Sequence, residues 1–255
     1  MIGDYWDCVS RDDPALMVEY IDRLHDYAVI DPRTPGDAAP PAAVLFTLTD
    51  GPLSVALWME RAANGVALNA ALPFVEPADV GEVVVESVQT ATDDGFGFLR
   101  VQLGGVGLEV FDLLHPARRT HYRTGERLPF ALSALAIQVE RLGAIMEAIN
   151  GRGDTAERLA QLIESGGSML APIPSDRPLG HYYYYGPITK VHRATCAGRE
   201  VVAGTLALQV TPTDRVSIPV VFGTGSVRTG GWAPADGEFV AAAIFLHGRG
   251  ALAEK

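Results

Sequence analysis

Two stretches of this 255-residue chain repeat one β-rich outline, Gly81 to Ala136 and Gly186 to Gly248, and no other feature constrains the fold as much. In the first, EVVVESV is followed by the turn residues Thr92-Asp93-Asp94-Gly95 and by FGFLRVQL, the pattern of a hairpin with an Asp-Gly turn. Gly104-Gly105 then leads into GLEVFDLL, and Gly125-Glu126 opens LPFALSALA. In the second, Gly186-Pro187 precedes ITKVHRATC, Ala197-Gly198 makes the turn and VVAGTLALQV returns. RVSIPVVF follows, and Gly237-Glu238 opens FVAAAIFLHG. From the opening Gly to the Gly-Glu step there are 44 residues in one stretch (81 to 125) and 51 in the other (186 to 237). Identities are few, so a duplication and two unrelated meanders both stay open. The β assignment holds under either.

The length suffices for one large β domain or two small ones, each able to bury a core without disulfides. The expected class is α+β, β-dominated, with two small antiparallel β-barrel or sandwich units and a helical connection. A meander with a late return strand suits a five-stranded, OB-like barrel by fold-level analogy. The expected organisation is 1–72, an N-terminal helix, a Pro-rich loop and a β-meander; 73–136, the first β unit; 137–180, the helical connection; and 181–255, the second β unit.

Local signals fill in the remainder. Asp13-Pro14 is a helix start, and Leu16, Met17, Tyr20, Ile21 and Leu24 keep helical spacing towards Ala28. DPRTPGDAAPP, residues 31–41, reads as a loop. Between Ala43 and Val75, Asp50-Gly51 and Asn64-Gly65 separate three apolar runs and favour strands, although SVALWMERAA contains good helix formers. Leu142, Ile145, Met146 and Ile149 form a helical stripe ending at Gly151, and Asp154 with Glu157 resembles a capping box before ERLAQLIES.

A formal charge of −11 disfavours phosphate backbones and anionic lipid as partners. Cys8 and Cys196 are too few for a disulfide framework, and MIGDYWDCVSRDD lacks the pattern of a secretory leader, which points to a reducing cytoplasm. No apolar run reaches the roughly 20 residues needed to span a bilayer. Lys190 and Lys255 are the only lysines, an arginine-weighted composition of the kind GC-rich bacterial genomes encode.

HExxH, GxSxG, CxxC and P-loop patterns are absent. The glycine-rich FGTGSVRTGG, Phe222 to Gly231, fits no nucleotide-binding fingerprint and reads as a β-connection. His25, His115, His121, His181, His192 and His247 lack paired ligand spacing, so neither a metal nor another cofactor is expected.

Two clusters are candidate binding sites. HPARRTHYR gathers His115, Arg118, Arg119, His121, Tyr122 and Arg123, suited either to holding an anion or to a solvated loop. HYYYYG carries Tyr182, Tyr183, Tyr184 and Tyr185. On an extended strand alternate side chains point to opposite faces, so two of these should be buried and two exposed, the latter available to an interface or to packing at the domain junction.

The leading functional expectation is a non-catalytic, acidic protein-binding protein (an inhibitor, immunity-type or assembly factor) with a basic protein partner. The alternative is a small-ligand binder or enzyme with a site at His115–Arg123 and Gly223–Gly231. A third reading is single-stranded nucleic-acid binding on an OB-like face, with tyrosines stacking bases.

Overall fold

The computed structural model describes residue 6 and residues 15–23, 26–30, 43–62, 65–77, 80–90, 96–118, 122–148, 154–173, 180–211, 213–227 and 232–250. The Pro-rich segment 31–41, the Asp13-Pro14 start and the Asp94-Gly95 turn lie outside them. Among the described residues no helix is long and apolar enough to cross a membrane.

Helix α1 covers Ala15–Asp22, shorter than its apolar stripe suggests, because the chain turns at Arg23 and enters a short strand, β1 (Ala28–Ile30). β1 joins β2 (Ala43–Asp50), β3 (Leu53–Ala62) and β4 (Gly65–Phe74) in an antiparallel sheet with the order of the sequence. SVALWMERAA is therefore strand: pairing on both sides of β3 outweighs its helix propensity. Residues Leu53 to Trp58 are buried without alternation, as expected of a strand covered on both faces. Trp6, Leu16 and Tyr20 join the core that includes these residues, as do side chains of a second, larger sheet.

The larger sheet begins with β5 (Val80–Thr90), β6 (Gly97–Leu103) and β7 (Val106–Asp112). The short helix α2 (His115–Arg118) leads to the long β8 (Arg127–Arg141). α3 (Leu142–Ala148) and α4 (Asp154–Glu164) form the helical connection, and a short strand, β9 (Met169–Pro172), follows within the segment expected to be wholly a linker. The second unit comprises β10 (His181–Cys196), β11 (Arg199–Gln209), β12 (Arg215–Gly223) and β13 (Phe239–Gly250).

The two units pair their strands in the same way. Within each, the first strand is antiparallel to the second and fourth, and the second is antiparallel to the third. The third strand of each runs parallel to the fourth strand of the other, β7 to β13 and β12 to β8, while β8 and β13 pair antiparallel with each other. Two closed five-stranded rings result, β5-β6-β7-β13-β8 and β10-β11-β12-β8-β13, with the β8–β13 ribbon common to both. Each ring is thus completed by a strand from the other half of the chain.

The Gly-Glu steps are equivalent in detail. Gly125 and Gly237 take left-handed φ values of 83° and 80°. Gly125 N–H donates to Val85 O and Val85 N–H to Glu126 O; Gly237 and Glu238 repeat this pair with Ile188. The Glu126 carboxylate accepts from Arg123 N–H and that of Glu238 from Ala235 N–H.

The inward faces of both rings share one core, from Val83, Leu99 and Phe130 to Tyr184, Phe222 and Ile244. The four-stranded sheet packs on part of the outer face, where Trp58 meets Phe96 edge-on. Polar contacts pin the two sheets together. The Asp50 carboxylate accepts from Tyr20 Oη (3.1 Å), Arg23 Nη1 (3.1 Å) and Ala197 N–H (3.0 Å), and the Cys196 thiol donates to Asp50 O. Elsewhere, Val75 N–H donates to His247 Nε2 at 3.0 Å. Replacing Asp50 with Ala removes an acceptor shared by three donors, and we expect it to lower stability by about 2–3 kcal/mol in urea denaturation, with Asp50→Asn losing less. A midpoint unchanged in Asp50→Ala would mean that this junction carries no stability.

Candidate functional site

The four tyrosines lie on β10, paired on one side with β13 and on the other with the edge strand β9. Strand alternation divides them. Tyr182 and Tyr184 point into the ring core and are buried; Tyr183 and Tyr185 point outward, Tyr183 being 39% exposed and Tyr185 half-buried. The inward pair is satisfied by the fold: Tyr182 Oη accepts from Glu109 N–H, and Tyr184 Oη donates to Pro187 O at 2.8 Å. Burial raises the ionisation of both above the usual phenol range. The outward rings lie 6.4 Å apart, tilted by 42°.

Register extends this face across four strands. One row runs Ala171, Tyr183, Ala243, Gln138 and the next Met169, Tyr185, Ala241, Glu140. Met169 is 38% exposed. One row further along, His181 stands opposite Phe245 and both are buried, with Phe245 in the core beneath the four-stranded sheet. The outer face emerges from its cover at the tyrosines.

The second cluster is divided by burial. His115 and Tyr122 turn inward. Tyr122 Oη donates to Asp112 Oδ2 at 2.7 Å, and the other oxygen of this fully buried carboxylate accepts from Leu114 N–H. Arg123 is exposed, with Nη1 donating to Tyr122 O. Arg118 closes α2, and Arg119 and His121 lie outside the described residues. In the glycine-rich stretch, Thr224–Ser226 forms one 3-10 turn and Val227 bridges to Val139; residues 228–231 lie outside the described residues.

Several polar residues that matter here carry no motif. Asp112, Ser133 and His247 are buried on the strands that close the rings, and Gln138 and Glu140 flank the tyrosine face only through pairing. His247 ionises at about pH 4, because burial opposes its charged form. Burial likewise raises the Cys196 thiol to about 11, which keeps it protonated and unreactive. Among the described residues no group of three His, Cys, Asp or Glu side chains is arranged to hold a metal ion. A cleft between the sheets beside Leu45, Phe74, Leu113, Leu114 and Arg249 has about 10 Å³ of free room, enough for one water molecule.

The chain matches no protein-family model, and neither a curated protein nor a solved structure matches it.

Proposed function

We propose that this chain is a non-catalytic protein-binding protein whose partner docks on the outer face of β9 and β10. The observation that carries this reading is the division of the tyrosines. Tyr182 and Tyr184 fill the core, while Tyr183 and Tyr185 stand outward beside the exposed Met169 on an edge strand. Tyrosine and methionine are enriched at interfaces because they supply contact area that adapts to a partner, and an edge strand adds main-chain groups for pairing. The charge of −11 favours a basic partner and speeds encounter with it. The proposed role is that of an inhibitor, immunity-type or assembly factor. The ligand or enzyme alternative draws on His115, Arg118, Arg119, His121, Tyr122 and Arg123, of which the fold buries His115 and Tyr122 and exposes Arg123. The equivalent Gly-Glu turns and strand pairings further support an origin of the two units by duplication of one β unit.

The test compares the wild-type chain with Tyr183→Ala/Tyr185→Ala, each used as bait in an extract of its native host at low and high salt. We expect the wild type to retain a stoichiometric, salt-sensitive protein partner that the variant, folded by circular dichroism, does not. Equal retention by both would remove the tyrosine face from the function.

A further inference from the structure

We propose that the far edge of β9 pairs with β9 of a second copy of this chain, an inference that goes beyond the docking reading above and leaves the outer face to that partner. Among the described residues no strand pairs with this edge. The opposite edge fixes the direction of the main-chain groups. Ile173 N–H donates to His181 O at 3.1 Å, in the register that sets Ala171 against Tyr183 and Met169 against Tyr185. In an antiparallel ladder the residues that bond one neighbour alternate with those that face the other way, so Leu170 turns both N–H and C=O to the open side. Pro172 faces the same way, where its missing N–H breaks no bond of the sheet. The start of the strand is anchored where Ser168 Oγ accepts from Gln209 N–H, so β9 meets its partner already extended.

The edge is complementary to itself. A two-fold axis at Leu170 sets it against the second copy's Leu170, and each N–H meets the other's C=O. The same register lays Met169 against the second copy's Ala171, and Ala171 against the second copy's Met169. Each row of the outer face then reads Tyr185, Met169, Ala171, Tyr183, the first two from one copy and the last two from the other. A large side chain meets a small one across the joint, and each thioether lies between a phenol and a methyl group. Charge admits the pairing. Met169 to Pro172 and the two outward tyrosines carry none, so two chains of −11 each meet on neutral side chains. Edges kept from self-pairing carry lysine or an inward charge, and β9 has neither; Pro172, its one blunting residue, stands clear of the Leu170 pair. The tyrosine columns of the two copies come to lie roughly 14 Å apart on one continuous face, three strand spacings.

The test is the mass of the purified full chain by light scattering across a dilution series. We expect a dimer with a dissociation constant on the order of 10 μM, as suits a small interface, weakened at least about tenfold in Ala171→Lys, folded by circular dichroism. Disulfide trapping in a Cys8→Ser background reads the register. Opposed residues beside a hydrogen-bonded pair stand about 4.5 Å apart at Cα, within reach of a disulfide. An oxidised mixture of Met169→Cys chains with Ala171→Cys chains should yield a cross-linked dimer that neither variant yields alone. A monomer at every concentration, a dimer indifferent to Ala171→Lys, or trapping no stronger in the mixture than in either variant would overturn the pairing. A monomer whose Ala171→Lys variant loses the partner in the bait experiment also overturns it, by giving the edge to a strand of that partner. The docking reading survives all of these outcomes and falls only if Tyr183→Ala/Tyr185→Ala retains the partner.

Discussion

Acidification from pH 7 to pH 4 is expected to remove about 3 kcal/mol of stability through His247 alone. The folded chain keeps this imidazole neutral down to about pH 4, whereas the ordinary value is 6.5, because the site is fully buried. Nε2 is occupied as an acceptor for Val75 N–H, so the ring proton resides on Nδ1. Between pH 6.5 and 4 the unfolded chain takes up a proton that the folded chain refuses. Stability therefore falls as pH falls across that window and levels off below it. Urea denaturation at several pH values should give a wild-type slope steeper than that of His247→Gln by about 1.4 kcal/mol per pH unit near pH 5. Gln keeps an acceptor for Val75 but cannot titrate. Parallel curves would mean that His247 already gains its proton in the folded state.

Gly248→Ala should cost at least about 3 kcal/mol, more than any exposed glycine substitution, because a Cβ there has nowhere to go. Gly248 stands opposite Leu132 in the shared β8–β13 ribbon. The added carbon would overlap Ala131 O and meet Phe130 Cε1 at 2.5 Å. Backbone and a core ring cannot both yield without parting the strands that complete both rings. Gly198→Ala makes the contrast: its φ of 72° is left-handed, but no atom lies within 4 Å of the new Cβ. That variant should lose about 1 kcal/mol, the ordinary cost of a left-handed alanine. Urea midpoints of the two variants decide it, and equal losses would show that the ribbon can open to admit a methyl group.

How much of this was legible in the sequence follows from the distance between interacting residues. Period-two alternation revealed the strands of both units and the division of Tyr182 to Tyr185, since side-chain direction along a strand is a local property. The turns at Asp50-Gly51, Ala197-Gly198, Gly125-Glu126 and Gly237-Glu238 were equally local. The exchange of β8 and β13 between rings has no local signature, because either strand would look the same closing its own ring. The polar anchors were hidden for the same reason. His247 meets a partner 172 residues away and Asp50 one 147 residues away, so neither spacing resembles a motif. The tyrosines were visible as a cluster, but Gln138, Glu140 and Met169 became their neighbours only through register.

Reciprocal strand sharing sets a timetable for biosynthesis. β8 is complete at Arg141, yet its partner in the ribbon ends only at Gly250. At roughly 5–20 residues per second, a ribosome leaves the first unit waiting on the order of ten seconds for the strand that closes it. Until then β7 and β8 present open edges in a nascent chain rich in valine and leucine, the condition under which unfinished sheets recruit the wrong neighbour. Synthesis on crowded polysomes, where two growing chains could exchange fourth strands, is therefore the step at which this molecule most depends on protection.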